Sequence, residues 1–226
     1  MIINRCNDAL IKYTLAKPDW WYILLSCINA VFANAGKPLL TDITLRDREL
    51  SPNHLTQKGS RLDVLCQSAD GTSVNVEVQI APLRGVMPKR SLFYWARDYT
   101  KLPRGKPYTS LTRTVCIVIM LENLFTDKET PLWHNMYVVA NAWHPSHILT
   151  DDLEIHFLEV PKWHKQRPPL EDFTSLDAWM AFFCPKTTPQ ELEALPMIEP
   201  AIADALEAHR RFMADPALVQ IGRAHV

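Results

Sequence analysis

Two short arms between residues 61 and 80 alternate apolar and polar residues with period two. Leu62, Val64 and Cys66 mark one arm, and Val74, Val76, Val78 and Ile80 the other. Such alternation is the pattern of a strand with one buried face, so residues 61–67 and 73–80 are predicted to pair as a hairpin around Asp70-Gly71. Helical apolar spacing over 7–15 and 20–34, and a strand pattern over 41–48, precede it. A helix over 87–101 follows, and then β-branched or apolar runs at Thr114–Leu121, Met136–Ala142 and Leu153–Val160. Ser175–Phe183 and Pro189–Met213 have helical spacing, with a break near Pro196–Pro200. Strands alternating with helices predict an α/β core over residues 1–160, followed by a helical C-terminal tail over 161–219, with Pro161–Pro169 as the linker.

The turn decides what the hairpin presents. A two-residue Asp70-Gly71 loop pairs Val64 with Glu77 and drives a carboxylate into the apolar row. A three-residue loop, Ala69-Asp70-Gly71 with Gly71 left-handed, pairs Asp63 with Glu77 and keeps every valine together. The hydrophobic pattern therefore selects the second register, which puts Asp63, Glu77 and Gln79 on one face.

Composition narrows the class. A chain of 226 residues, 47% hydrophobic and 22% charged, can bury a sizeable core. Its formal net charge of −1 makes any polyanion site a local one. Such a locality exists: Arg84, Lys89, Arg90, Arg97, Lys101, Arg104, Lys106 and Arg113 crowd into residues 84–113 with Asp98 as the sole acid, whereas the chain beyond is acidic. On the 87–101 helix, Arg90, Tyr94, Arg97 and Lys101 share a face and, with Lys89, form a candidate DNA-backbone contact. Leu92, Phe93, Trp95, Ala96 and Tyr99 are expected to include the packing side; a merely solvated basic face is the alternative.

The five cysteines are scattered and form no C-x-x-C pair, which fits a reducing cytoplasm better than a disulfide framework. Trp20–Gly36, the longest uncharged stretch, is shorter than the roughly 20 apolar residues of a membrane span, so a core helix and no membrane association are expected. The N-terminus lacks a secretory pattern. His144 and His147, with His134, His156 and His164, lack cysteine partners and are expected to be polar loop residues. No nucleophile elbow, P-loop or dinucleotide fingerprint is present.

Two opposed carboxylates with Cβ atoms roughly 5 Å apart repel unless a cation or proton lies between them. A hard divalent ion held by one or two carboxylates, with water and phosphate oxygens completing its shell, is the natural solution for Asp63 and Glu77.

Leu62-Asp63-Val64, Asp70-Gly71, Val76-Glu77-Val78-Gln79 and the run Lys89–Trp95 resemble the PD-(D/E)XK nuclease family transposases, the recombination-promoting nuclease group. The resemblance extends upstream through Asn7–Lys12 and Leu25–Val31 and downstream through Gly105–Tyr108 and Val115–Leu121. It implies a restriction-endonuclease-like core, a central mixed sheet flanked by helices, and metal-dependent hydrolysis of DNA phosphodiesters with Mg²⁺ or Mn²⁺ as cofactor. Carried over residue by residue, Asp63 and Glu77 become metal ligands and Gln79 takes the third motif position, usually Lys in the wider superfamily; Asp8, Lys12 and Lys58 are accessory candidates. The implied partners are DNA and the metal, with a homodimer left open. A catalytically inactive DNA-binding relative and a protein-interaction module, the latter using an aromatic surface around Trp20 and Trp21, are the competing readings. Residues 220–226 are expected to be non-native read-through, because one reverse translation of them opens a common sequencing-library adapter.

Overall fold

The hairpin forms in the register that keeps its valines together. In the computed structural model, which describes residues 5, 7–46, 63–80, 84–102 and 104–224, β2 (Asp63–Gln67) and β3 (Ser73–Gln79) pair antiparallel, with Asp63 opposite Glu77 and Val64 opposite Val76. The loop is the three-residue one: Ser68 N–H donates to the Thr72 carbonyl at 2.9 Å, and Gly71 sits at φ +90°. Asp42 clamps it, its Oδ1 accepting from Ser68 Oγ at 3.1 Å and Ala69 N–H at 2.9 Å. β1 (Thr44–Leu45) pairs with β2 and covers only part of the strand expected over 41–48, whose last residues lie outside the described part.

β3 then crosses over through α3 (Met87–Tyr99) to a parallel β4 (Thr114–Met120). Beyond β4 come β5 (His134–Tyr137), β6 (Ala140–Asn141), β7 (His144–Ile148) and β8 (Leu153–Glu159), giving a mixed six-stranded sheet in the order β1-β2-β3-β4-β8-β5. β4 and β8 are parallel neighbours buried along their whole length; the near-continuous apolar sequence of β4 suits that place, whereas β8 buries Glu154, His156 and Glu159 with it. The strand expected over 136–142 is divided: β5 ends at Tyr137, and β6 joins β7 in a separate exposed hairpin that carries His144 and His147.

Each face of the sheet has its own core. Val64, Val76, Val78, Ile117, Ile119 and Leu158 pack with α1 (Asp8–Leu15), α2 (Trp21–Asn34) and α5 (Ser175–Phe183). Cys116, Val118, Met120, Ile155 and Phe157 pack with Met87 and Trp95 of α3. A one-residue slip of β3 would carry its valines from the first core to the second and turn Asn75, Glu77 and Gln79 into the apolar side-chain layer of the first, away from their partners. α2 ends in a Schellman cap, with Lys37 N–H on the Phe32 carbonyl at 2.9 Å and Gly36 at φ +66°.

The expected linker at 161–169 is instead structured. α4 (Val160–Gln166) follows β8 directly, with Pro161 in its first turn, where no N–H is needed. Trp163 is fully buried and its Nε1 donates to Asp177 Oδ1 at 2.8 Å; Asp177 completes the capping box of α5. α6 (Pro189–Ile198) and α7 (Ala201–Ala214) are separated by Glu199-Pro200, and Leu195, Ile202 and Ala205 join the core of the valine face. α8 (Pro216–Ala224) includes residues 220–224, and Gly222 accepts a hydrogen bond from Asn7 Nδ2 at 2.8 Å. Among the described residues no helix is long and apolar enough to cross a membrane.

Candidate functional site

The face of β3 opposite its valines carries Asn75, Glu77 and Gln79, and α3 covers it. Glu77 is 2% exposed, and its Oε1 forms an ion pair with Arg90 Nη2. The same guanidinium reaches Gln79, Nη1 donating to Oε1 at 3.2 Å. Its Nε donates to the Tyr94 hydroxyl at 3.1 Å, and its charge lies 5.4 Å from the Tyr94 ring centroid. Arg90 is thus held by groups on β3 and on its own helix. The acceptor oxygens of Glu77 and Gln79 converge on the one guanidinium, whose fork spans both.

Asp63 stands opposite Glu77 by backbone register; its side chain and Lys58 lie outside the described part. Asp8 and Lys12 lie on α1, which packs with α2, α7 and α8 in the helical layer on the valine face.

The orientation of α3 differs from expectation. Its buried stripe is Met87, Ser91, Tyr94 and Asp98, while Leu92 and Phe93 are 50% and 65% exposed. The i, i+4, i+7, i+11 spacing of the buried stripe puts Tyr94 against the sheet rather than on the outer basic face. Trp95 packs as expected and is anchored by Nε1 on the Thr114 carbonyl at 3.0 Å.

Much of the local positive charge is neutralised within the fold. Asp98 is buried beneath Lys101 Nζ at 2.8 Å and Arg97 Nε at 3.5 Å, and Arg97 also stacks on Tyr94 at 4.9 Å. Arg113 makes a two-pronged contact with Glu154, at 3.2 and 2.8 Å, on the other face of the sheet. Lys89 is exposed, and the outer sides of Arg97 and Lys101 remain 47% and 57% exposed. The interface a polyanion would meet is therefore narrower than the sequence count suggests.

The family model described as PD-(D/E)XK nuclease family transposase matches residues 5–223. The chain belongs to that family. No curated protein and no solved structure matches it. The mixed sheet flanked by helices agrees with the restriction-endonuclease-like core of a PD-(D/E)XK protein. Membership supports a nuclease-like role in transposition, and PD-(D/E)XK nucleases generally use divalent metals. The matched region takes in α4 to α7 as well as the sheet.

Two features escaped sequence reasoning. The i, i+4 spacing of Arg90 and Tyr94 was visible, but nothing in it pointed across to Glu77 and Gln79. A second network lies on the α2 face, where even-numbered β8 positions point: buried Glu154 meets Lys37 at 3.0 Å and His156 Nε2 at 3.4 Å. His156 Nδ1 in turn contacts His134 Nε2 at 3.0 Å, and His134 Nδ1 meets Asn34 at 2.6 Å. These two histidines are strand residues in a polar network, not loop residues. Burial pushes His134 down to about 4, with the neighbouring His156 adding to the effect. Glu154 is held at about 2: burial alone would raise it, but hydrogen bonds from His156, Arg113 and Lys37 outweigh that.

Proposed function

We propose that the chain is a metal-dependent DNA endonuclease acting in transposition or recombination. The observation that carries this reading is the hairpin register that sets Asp63 opposite Glu77, with Gln79 on the same face, in a chain of the PD-(D/E)XK nuclease family transposases. The donor set fits Mg²⁺ or Mn²⁺: the two carboxylates at 63 and 77 are hard oxygen ligands, and water and phosphate oxygens can complete the shell. Bound there, such an ion supplies Lewis acidity and lowers the pKa of water. Asp63 and Glu77 hold the ion, and Gln79 orients water or the scissile phosphate. The water oxygen bonds to phosphorus, the bond to one sugar oxygen breaks, and that oxygen leaves as a hydroxyl. Lys89, Arg97 and Lys101 meet the DNA backbone, contacts that position a duplex without reading its sequence.

A second reading follows from the Arg90–Glu77 ion pair, which neutralises the carboxylate without a metal: the chain then binds DNA but does not cut it. Plasmid cleavage in Mg²⁺ or Mn²⁺, beside EDTA and the Asp63→Ala and Glu77→Ala variants, separates the two. Nicking that requires the metal and both carboxylates supports the endonuclease. DNA binding without nicking, unchanged by EDTA, supports the binding relative.

A further inference from the structure

We propose that Arg90 supplies from α3 the positive charge that the third motif position lacks, so that Gln79 and Arg90 together do what one lysine would do at that position. This rests on the reading that the hairpin face holds a phosphodiester. A neutral amide at position 79 can donate a hydrogen bond to a phosphate oxygen but cannot offset the charge that builds on the phosphoryl group. Arg90 lies 3.2 Å from that amide with its side chain only 15% exposed, so solvent screens its charge little and Glu77 is the carboxylate that shares it.

The contact also determines how Gln79 is presented. A guanidinium nitrogen only donates, so the amide must offer Oε1 to Arg90, which turns its NH₂ away. That NH₂ is then the group available to substrate, and Arg90 sets its direction. Arg90 in turn is oriented by Tyr94, whose hydroxyl accepts from Nε and whose ring is 1% exposed, packed against the sheet. The arginine acts through Gln79 and is a positioning and charge-supplying residue, not a metal ligand. Lysine in its place would be a single point charge without the fork that spans Glu77 and Gln79 together.

The test relocates the charge. Four proteins are compared: wild type, Arg90→Gln, Arg90→Lys and the double variant Gln79→Lys/Arg90→Gln, each checked by thermal melting. Two readouts are taken, plasmid nicking in Mn²⁺ and anisotropy of a short labelled duplex in EDTA. Arg90→Gln is expected to lower kcat about 100-fold with KM changed less than about threefold, as loss of one preorganised charge does. It is also expected to weaken duplex binding about tenfold. Arg90→Lys recovers part of both, and the double variant recovers at least about tenfold in kcat and most of the binding. A folded double variant that nicks and binds no better than Arg90→Gln overturns the proposal, as does an Arg90→Gln protein that nicks faster than wild type. If binding follows the relocated charge but no protein nicks, the endonuclease reading falls and the charge placement stands.

Discussion

Gly71 is the residue on which the candidate site's register depends, and its replacement by alanine has a calculable cost. At φ +90° an L-residue is strained by about 1–2 kcal/mol relative to glycine. A Cβ there would also lie 2.8 Å from Thr112 Cγ2, closer than carbon atoms approach without one of them moving. Thr112 is exposed and its methyl is a side-chain terminus, so relief by rotation adds only about 1 kcal/mol. The sum for Gly71→Ala is about 2–3 kcal/mol, or about 4–12 °C in melting temperature for a chain of this size. Thr112→Ser deletes the methyl that the new Cβ meets. Gly71→Ala/Thr112→Ser is therefore expected to recover about 1 kcal/mol and no more, leaving the backbone term. Urea unfolding followed by tryptophan fluorescence measures all three variants. A Gly71→Ala protein within about 0.5 kcal/mol of wild type, or full recovery in the double variant, would show that no left-handed three-residue turn holds Asp63 opposite Glu77.

Two further outcomes follow from the buried charges. Glu159 is fully buried and accepts from Leu124 N–H at 2.6 Å, Phe125 N–H at 3.0 Å and Lys162 Nζ at 2.9 Å, so Lys162→Met should cost about 3–5 kcal/mol in urea unfolding, while Glu159→Gln/Lys162→Met should cost clearly less. Equal losses would show that the pair's charge is not what matters. The folded pKa values of His134, about 4, and Glu154, about 2, both lie below their ordinary 6.5 and 4.5. For a depressed group the stabilisation is present above the unfolded pKa and lost as pH falls through the folded one, so stability should decline from about pH 6.5 to 4 through His134 and from about pH 4.5 to 2 through Glu154. His134→Asn should flatten the upper limb alone in urea midpoints taken across that range; an unchanged upper limb would rule out His134 as its source.

The hairpin, its register and the pairing of Asp63 with Glu77 could be read from the order of residues alone, because period-two alternation tolerates only one turn length that keeps the valines together. The buried β4 and the break before α7 were equally legible, since a continuous apolar, largely β-branched run and a proline leave few alternatives, whereas the full burial of β8 depends on partners for Glu154, His156 and Glu159. Rotation of α3 was not legible: Tyr94 and Phe93 are both aromatic, and only the shape of the sheet face decides that Tyr94 is covered and Phe93 is left in solvent. The same docking turned Arg90 from an outward phosphate contact into the partner of Glu77 and Gln79, and distributed Arg97, Lys101 and Arg113 onto buried acids. The linker reading of 161–169 failed because the proline and charges that signal a loop also suit a first helical turn, and what made this one a helix is the burial of Trp163 and the pairing of Lys162 with Glu159. Local pattern encodes which side of a strand is apolar; which charge meets which is a property of packed layers, set by residues distant along the chain.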